Sequence, residues 1–161
     1  MNTSFERGSN RTDEWYTPKY IIDALGKFDL DPCAPSENFY TAKQCYTKDI
    51  DGLSQEWYGR VWLNPPYKNP LIGKFVKQLV EHGNGMALVF NRMDTKLWHD
   101  LIFPNTTAML ILKGRLTFVS PDGTKPNSGA GCGSVLVAFG DDNAECLRSC
   151  GIDGKFIRLQ R

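Results

Sequence analysis

Met86-Ala87-Leu88-Val89-Phe90 is an unbroken apolar run in which no polar position marks a solvent-facing side. A half-exposed strand alternates, whereas a strand without alternation is covered on both faces, as in parallel sheets flanked by helices. Ala108 to Leu112 and Gly133 to Phe139 repeat the pattern. Between the first two lie helical signals. Leu71, Phe75, Val76, Leu79 and Val80 share one face of a helix that ends at His82-Gly83-Asn84-Gly85, and Asp94-Thr95 is placed to cap a helix running through Leu101-Ile102-Phe103 to Pro104-Asn105. The expected fold is α/β with a mostly parallel sheet. At 161 residues, 41% hydrophobic and 12% aromatic, the chain is large enough for one real core. We expect a single domain over 14–161, preceded by a flexible polar segment, 1–13.

Val61-Trp62-Leu63 is a further strand-like run, and it stops at Asn64-Pro65-Pro66-Tyr67. Asn-Pro and Pro-Pro are ordinary loop punctuation. They also carry chemistry. Two prolines remove backbone donors and stiffen the chain while their carbonyls remain acceptors. Asn64 adds a side-chain carbonyl and Tyr67 a flat ring on which a base can stack. An aromatic exocyclic amine is a poor nucleophile because its lone pair is delocalised. Two oxygens accepting its N–H bonds favour the pyramidal, reactive form, so Asn64, Pro65, Pro66 and Tyr67 are the candidate catalytic residues.

Upstream, Phe28-Asp29-Leu30-Asp31-Pro32-Cys33-Ala34 reads as a short strand entering a small-residue turn. Ligands of open α/β sheets bind outside the carboxyl ends of strands. Asp31 is therefore placed to pair with a ligand amino group, such as that of the methionine moiety of S-adenosylmethionine. Earlier still, Thr17 is a candidate N-cap and Pro18 a first helical residue for a helix whose apolar positions are Tyr20, Ile21, Ala24 and Leu25. Trp15 and Tyr16 lie just outside it, where they can line a neighbouring cleft.

The order Trp15-x-Thr17-Pro18, Asp29-Leu30-Asp31-Pro32-Cys33-Ala34, Asp51-Gly52-Leu53, Trp62-Leu63-Asn64-Pro65-Pro66-Tyr67 and Lys113-Gly114-Arg115-Leu116-Thr117-Phe118 resembles the phage-type DNA N6-adenine methyltransferase (Dam) family over residues 14 to 140. The resemblance implies a compact, trimmed Rossmann-like fold and S-adenosylmethionine-dependent methylation of adenine N6 in DNA. It puts Thr17, Pro18, Asp31, Pro32, Cys33 and Ala34 on the cofactor side, together with Trp15 and Tyr16. Asp51 or its neighbour Asp49 falls where a carboxylate meets the cofactor's adenine or ribose, and both stay open. The chain departs from larger methyltransferases in lacking a glycine-rich turn after the first strand. S-adenosylmethionine has no phosphate for such a turn to cradle. The span from Asp31 to Asn64 is also short for full crossover units of about 30 residues, so Ser36 to Gly59 is expected as helix and loop.

Nineteen basic against 18 acidic residues give a net charge of +1, which is not the footprint of a protein that coats nucleic acid. A local basic surface suffices for an enzyme visiting DNA, and its candidates are Lys68, Arg92, Lys113, Arg115 and Lys125. Phe118 is a candidate contact to the target base. It stands at the base of a long Gly-, Pro- and Ser-rich loop, Val119 to Cys132, read as a lid or binding segment. Five cysteines without Cys-x-x-Cys spacing are read as reduced thiols, and no metal site is expected. No apolar stretch approaches the length of a membrane span, and the polar start lacks a signal-peptide core. A cytoplasmic protein is expected, in the host cytoplasm if phage-encoded, with its oligomeric state open. The alternatives are a methyltransferase acting on an RNA or protein amine, a cytosine C5 enzyme using Cys33 as nucleophile, and a non-catalytic nucleic-acid-binding module with a decayed cofactor site.

Overall fold

The computed structural model describes residues 16–116, 118–119, 126–127 and 132–160. Its elements in chain order are α1 (Lys19–Leu25), β1 (Leu30–Asp31), β2 (Gln44–Cys45), a 3-10 turn at Gly52–Ser54, β3 (Val61–Leu63), α2 (Leu71–His82) and β4 (Gly85–Phe90). A wide-turned helical segment, Leu97–Ile102, then runs into the short α3 (Phe103–Asn105), followed by β5 (Ala108–Leu112), β6 (Phe118–Val119), β7 (Pro126–Asn127), β8 (Ser134–Phe139), α4 (Asp141–Ser149) and β9 (Gly154–Arg158). The candidate residues Trp15 and Lys125 lie outside the described residues, as do 1–13 and most of the loop between Val119 and Cys132. Within that loop β6 pairs with β7 as an antiparallel ribbon, Phe118 opposite Asn127.

Seven strands form one sheet in the order β2-β1-β3-β4-β8-β5-β9. Its β2-β1-β3-β4 half is parallel. The expectation of a mostly parallel sheet is not met, because β8 runs antiparallel to both its neighbours and β9 runs antiparallel to β5. These are also the longer ladders. The physical cause is the place of β8: it returns from the loop region and slots between β4 and β5, which themselves point the same way. A buried apolar run reads alike in either direction, so its pattern does not specify the pairing.

Pleating sends alternate side chains to opposite faces. From β4, Ala87 and Val89 join α2 and the Leu97–Ile102 segment, with Phe75, Val76, Leu79, Trp98 and Ile102. Met86, Leu88 and Phe90 meet α1 and α4 on the other face, with Ile21, Ile22, Leu25 and Leu147. Helices thus cover both faces, and each fully buried large apolar side chain contributes roughly 1.5–3 kcal/mol. Gly83 ends α2 in a left-handed conformation, its N–H returning to the Leu79 carbonyl at 2.9 Å. The helix read after Asp94-Thr95 begins there, His99 N–H donating to the Thr95 carbonyl at 3.1 Å, but the Thr95 hydroxyl donates to the Arg92 carbonyl at 2.7 Å instead of capping it. Elements that went unread include β2, inside the stretch expected as helix and loop, β7 inside the stretch expected as loop, and α4 and β9 further along the chain.

Because β1, β3, β4 and β5 point the same way, their carboxyl ends open on one edge. Asp31 ends β1, Asn64 follows β3, Arg92 follows β4, and Lys113 with Arg115 follows β5. The amino end of β8 reaches the same edge, where Asn91 N–H donates to the Gly133 carbonyl at 2.8 Å.

Candidate active site

Asp31 is 2% exposed at the end of β1. The turn after it is pinned to β2 by backbone bonds, Tyr46 N–H to the Asp31 carbonyl at 2.8 Å and Ala34 N–H to the Tyr46 carbonyl at 2.9 Å. Both carboxylate oxygens are engaged. The Cys33 N–H donates to Oδ1 at 2.9 Å and the buried Thr41 hydroxyl donates to Oδ2. Burial raises the acid from 3.8 to about 6, and the two hydrogen bonds only partly offset it. Among the described residues no cation is among the groups that shift it. A buried carboxyl without a counter-charge is costly for the fold and is a common mark of a binding site.

Gly52 ties the Asp51-Gly52-Leu53 turn to this one. A Cβ on Gly52 would lie 2.0 Å from the Pro32 carbonyl oxygen, and the Trp57 indole N–H holds the Gly52 carbonyl at 2.8 Å. Asp51 has left-handed backbone, φ 60°, and its Oδ1 accepts from Leu53 N–H at 3.3 Å. Such strain in a non-glycine residue is held only where surroundings enforce it. Asp49, in the exposed turn before it, shares none of these contacts. Gly52→Ala sets a Cβ against backbone that cannot yield as a side chain could, so a stability loss of about 1–3 kcal/mol is expected. Denaturant unfolding measures it; unchanged stability would mean that the two turns are not in contact.

Thr17 does not cap α1, contrary to expectation: Pro18 occupies the cap position and no side chain caps the helix. Its hydroxyl accepts instead from Asn64 Nδ2 at 3.2 Å. That contact brings the Thr17-Pro18 segment to the end of β3. Pro65 is buried and Pro66 half-buried beside it. Tyr67 is committed to the protein more than the sequence implies. Its ring stacks on Phe90 at 4.0 Å and 24°, and its hydroxyl donates to the Leu88 carbonyl at 2.8 Å, while burial pushes its ionisation upward. One ring face is therefore taken, and a base can use only the other. Tyr67→Phe keeps the stack and loses the tether, with an expected stability loss of about 0.5–1.5 kcal/mol. A thermal melt that matches the parent would show that the hydroxyl contributes nothing.

Lys68, Arg92, Lys113 and Arg115 are all exposed along the strand-end edge. The Arg92 guanidinium lies 5.9 Å from the Phe90 ring, so it continues the line Tyr67–Phe90. Lys113 and Arg115 line a cleft of about 310 Å³ with Tyr20 and Asp153, and neither Asp31 nor Asn64 faces it. Phe118 is placed in β6. Tyr20, read as an apolar helix position, is 60% exposed, and Ile21, Ile22 and Leu25 are the buried face of α1.

Sequence reasoning missed Phe39, Tyr40 and Thr41. Tyr16 meets Phe39 edge-on at 5.7 Å, Phe39 lies 4.1 Å from Tyr40, and the Tyr40 hydroxyl donates to the Thr17 carbonyl. Adjacent aromatics in a segment otherwise rich in polar residues were the available signal. The described cysteines are all free thiols. Among the described residues no three of His, Cys, Asp and Glu are placed to hold a metal ion, and no helix is long and apolar enough to cross a membrane.

A mixed α/β sheet with helices on both faces carries a buried acid at one strand end and an Asn-Pro-Pro-Tyr turn at another, on the kind of edge where open α/β sheets bind ligands. The family model described as DNA N-6-adenine-methyltransferase (Dam) matches residues 6–148, and the chain belongs to that family of enzymes. It is similar to the DNA N-6-adenine-methyltransferase of Haemophilus phage HP1 (strain HP1c1), 30% identical over 129 residues that cover 74% of each chain. A protein of the same name from Escherichia phage T1 is 30% identical over 159 residues, covering 81% of this chain and 65% of the relative. No solved structure matches.

Proposed function

We propose that the chain transfers a methyl group from S-adenosylmethionine to the N6 amine of adenine in DNA. The observation that carries this is Asp31, a buried acid at the end of β1 whose oxygens meet the Cys33 N–H and the Thr41 hydroxyl, on the same edge as an Asn64 amide hydrogen-bonded to Thr17. Such an acid fits the amino group of the cofactor's methionine moiety. The small turn Pro32-Cys33-Ala34 leaves room beside it. Tyr16, Thr17 and Pro18 close the cofactor side, and Asp51, held in the turn packed on Pro32, is the better placed of the two open carboxylates for the cofactor's ribose or adenine. The compact methyltransferase domain spans 14–161 and has a Rossmann-like plan with two reversed strands, β8 inserted between β4 and β5 and β9 at the edge.

The bound sulfonium supplies an electrophilic methyl group, and the protein supplies position and polarity. Asn64 accepts one N–H of the adenine amine through its side-chain carbonyl. A carbonyl of Pro65 or Pro66 accepts the other, so lone-pair density is released from the ring toward the methyl group. Tyr67 offers its second face to the base. Transfer would be direct and in line, the nitrogen–methyl bond forming as the donor's sulfur–methyl bond breaks to leave a neutral thioether and one amine proton passing to solvent, without a covalent enzyme intermediate. Cys33 lies on the cofactor-side turn, and a nucleophilic cysteine would leave Asn64 without a role. An adenine amine inside a duplex is out of reach, so the target is single-stranded or rotated from the stack, while Lys68, Arg92, Lys113 and Arg115 hold phosphates. The enzyme acts where DNA is, in the cytoplasm.

The test is labelled methyl transfer to DNA, RNA and protein in parallel, followed by digestion of the DNA and identification of the modified base. N6-methyladenine is expected. Label confined to RNA or protein, or carried on cytosine C5, would overturn the reading.

A further inference from the structure

Two neighbouring residues reach the two halves of the site. The Tyr40 hydroxyl donates to the Thr17 carbonyl, and the Thr17 hydroxyl in turn accepts from Asn64 Nδ2 at 3.2 Å. The Thr41 hydroxyl donates to Asp31 Oδ2, whose partner oxygen is held by Cys33 N–H at 2.9 Å. We propose that Tyr40 and Thr41 are positioning residues for methyl transfer: Tyr40 sets the Asn64 amide through Thr17, and Thr41 sets the plane of the Asp31 carboxylate. This rests on the functional reading above, in which Asn64 orients the amine and Asp31 holds the cofactor.

Packing alone does not explain either hydroxyl. Tyr40 is 38% exposed, so water would satisfy its O–H, yet the group is spent on the backbone of the residue that grips Asn64. Thr41 is 2% exposed, and valine would fill that space without burying a hydroxyl. A carboxylate tied at both oxygens cannot rotate about its Cβ–Cγ bond. Since the two residues are adjacent, a shift of one carries the other, and the spacing between amide and carboxylate becomes a property of this segment. A misplacement of about 1 Å can lower a rate about 100-fold.

The groups that face Asp31 and affect its charge are the Thr41 hydroxyl, the Cys33 N–H and the Cys45 thiol, the last feeling the Asp31 charge. Removing the Thr41 donor withdraws a hydrogen bond to the charged form. The experiment compares the whole chain with Tyr40→Phe, Thr41→Val and Thr41→Ser. S-adenosylmethionine affinity is measured by calorimetry across acid to neutral pH, and single-turnover transfer at saturating cofactor and DNA. Tyr40→Phe is expected to slow transfer at saturating cofactor about ten-fold or more. Thr41→Val is expected to weaken cofactor binding and move the acid limb of the binding profile to higher pH, with Thr41→Ser restoring both. A merely structural Thr41 would not move that limb. Transfer by Tyr40→Phe at the parent rate overturns the proposal, as does a Thr41→Val profile that keeps its acid limb. Tyr40 is exposed enough for its variant to fold, so the first arm stands even if Thr41→Val does not. A parent chain that neither binds S-adenosylmethionine nor methylates DNA would instead refute the functional reading, which separates the two failures.

Discussion

Asn64→Ala is expected to lower single-turnover methyl transfer about a thousand-fold while cofactor affinity changes little. The substitution removes the side-chain carbonyl proposed to accept an amine N–H, and preorganised polar contacts of this kind are worth about 100- to 1000-fold each when deleted singly. It also removes the donor to Thr17, whose Oγ1 accepts from Asn64 Nδ2 at 3.2 Å. Thr17 is 2% exposed, so its hydroxyl is left buried with one partner fewer, and the fold is expected to lose about 1–3 kcal/mol. Below the melting transition this second effect does not touch the rate at saturating substrates. A drop in kcat with an unchanged KM for cofactor identifies an interaction made in the transition state. Equal loss of cofactor binding and rate would place Asn64 on the cofactor side and remove the polarising role assigned to it.

The legibility of this site in the sequence divides along the line between local and distant contacts. Asn64-Pro65-Pro66-Tyr67 was readable because prolines announce the end of a strand whatever surrounds them, and α2 was readable because Gly83 stops it. Ala108–Leu112 lies where its apolar run predicts. The direction of β8 was not readable, because Ser134–Phe139 is buried at every position and such a strand has no face whose pattern fixes its pairing. Thr17 looked like a cap because Thr-Pro before a helix usually is one. Its hydroxyl serves Asn64, 47 residues away, and no window of periodicity spans that distance. Tyr40 and Thr41 were lost for the same reason, since their partners lie 23 and 10 residues away. The resemblance of ordered motifs reached further than pattern did, because it carried the spacing of several turns at once, yet it was silent on the residues that join them.

Asp31→Asn is expected to lower S-adenosylmethionine affinity at least about a hundred-fold and, at the same time, to stabilise the protein without cofactor. The first effect follows from removing the charge proposed to pair with the cofactor's amino group; deleting one partner of a buried pair costs about 3–5 kcal/mol. The second follows from the acid's own position. Asparagine keeps the shape, accepts from Cys33 N–H through its carbonyl, and donates to the Thr41 oxygen, which can accept as well as donate. The folded chain holds the Asp31 proton up to about pH 6, whereas the acid's ordinary value is 3.8. Between those values the folded state binds more protons than the unfolded one, so stability falls as pH rises through the window and is lowest above it. At about 1.4 kcal/mol per pH unit the full penalty is about 3 kcal/mol. Asp31→Asn lacks it, so the gap between variant and parent should open from about pH 4 to about pH 6 and stay constant beyond. Cofactor binding by the parent should run the other way, weakening as pH falls through about 6 because the proton and the ammonium compete for one carboxylate. Unfolding curves and calorimetry on both proteins over that range measure the two trends. A variant less stable than its parent at neutral pH would show that Asp31 is held for structure, and undiminished cofactor affinity would remove it from the binding site.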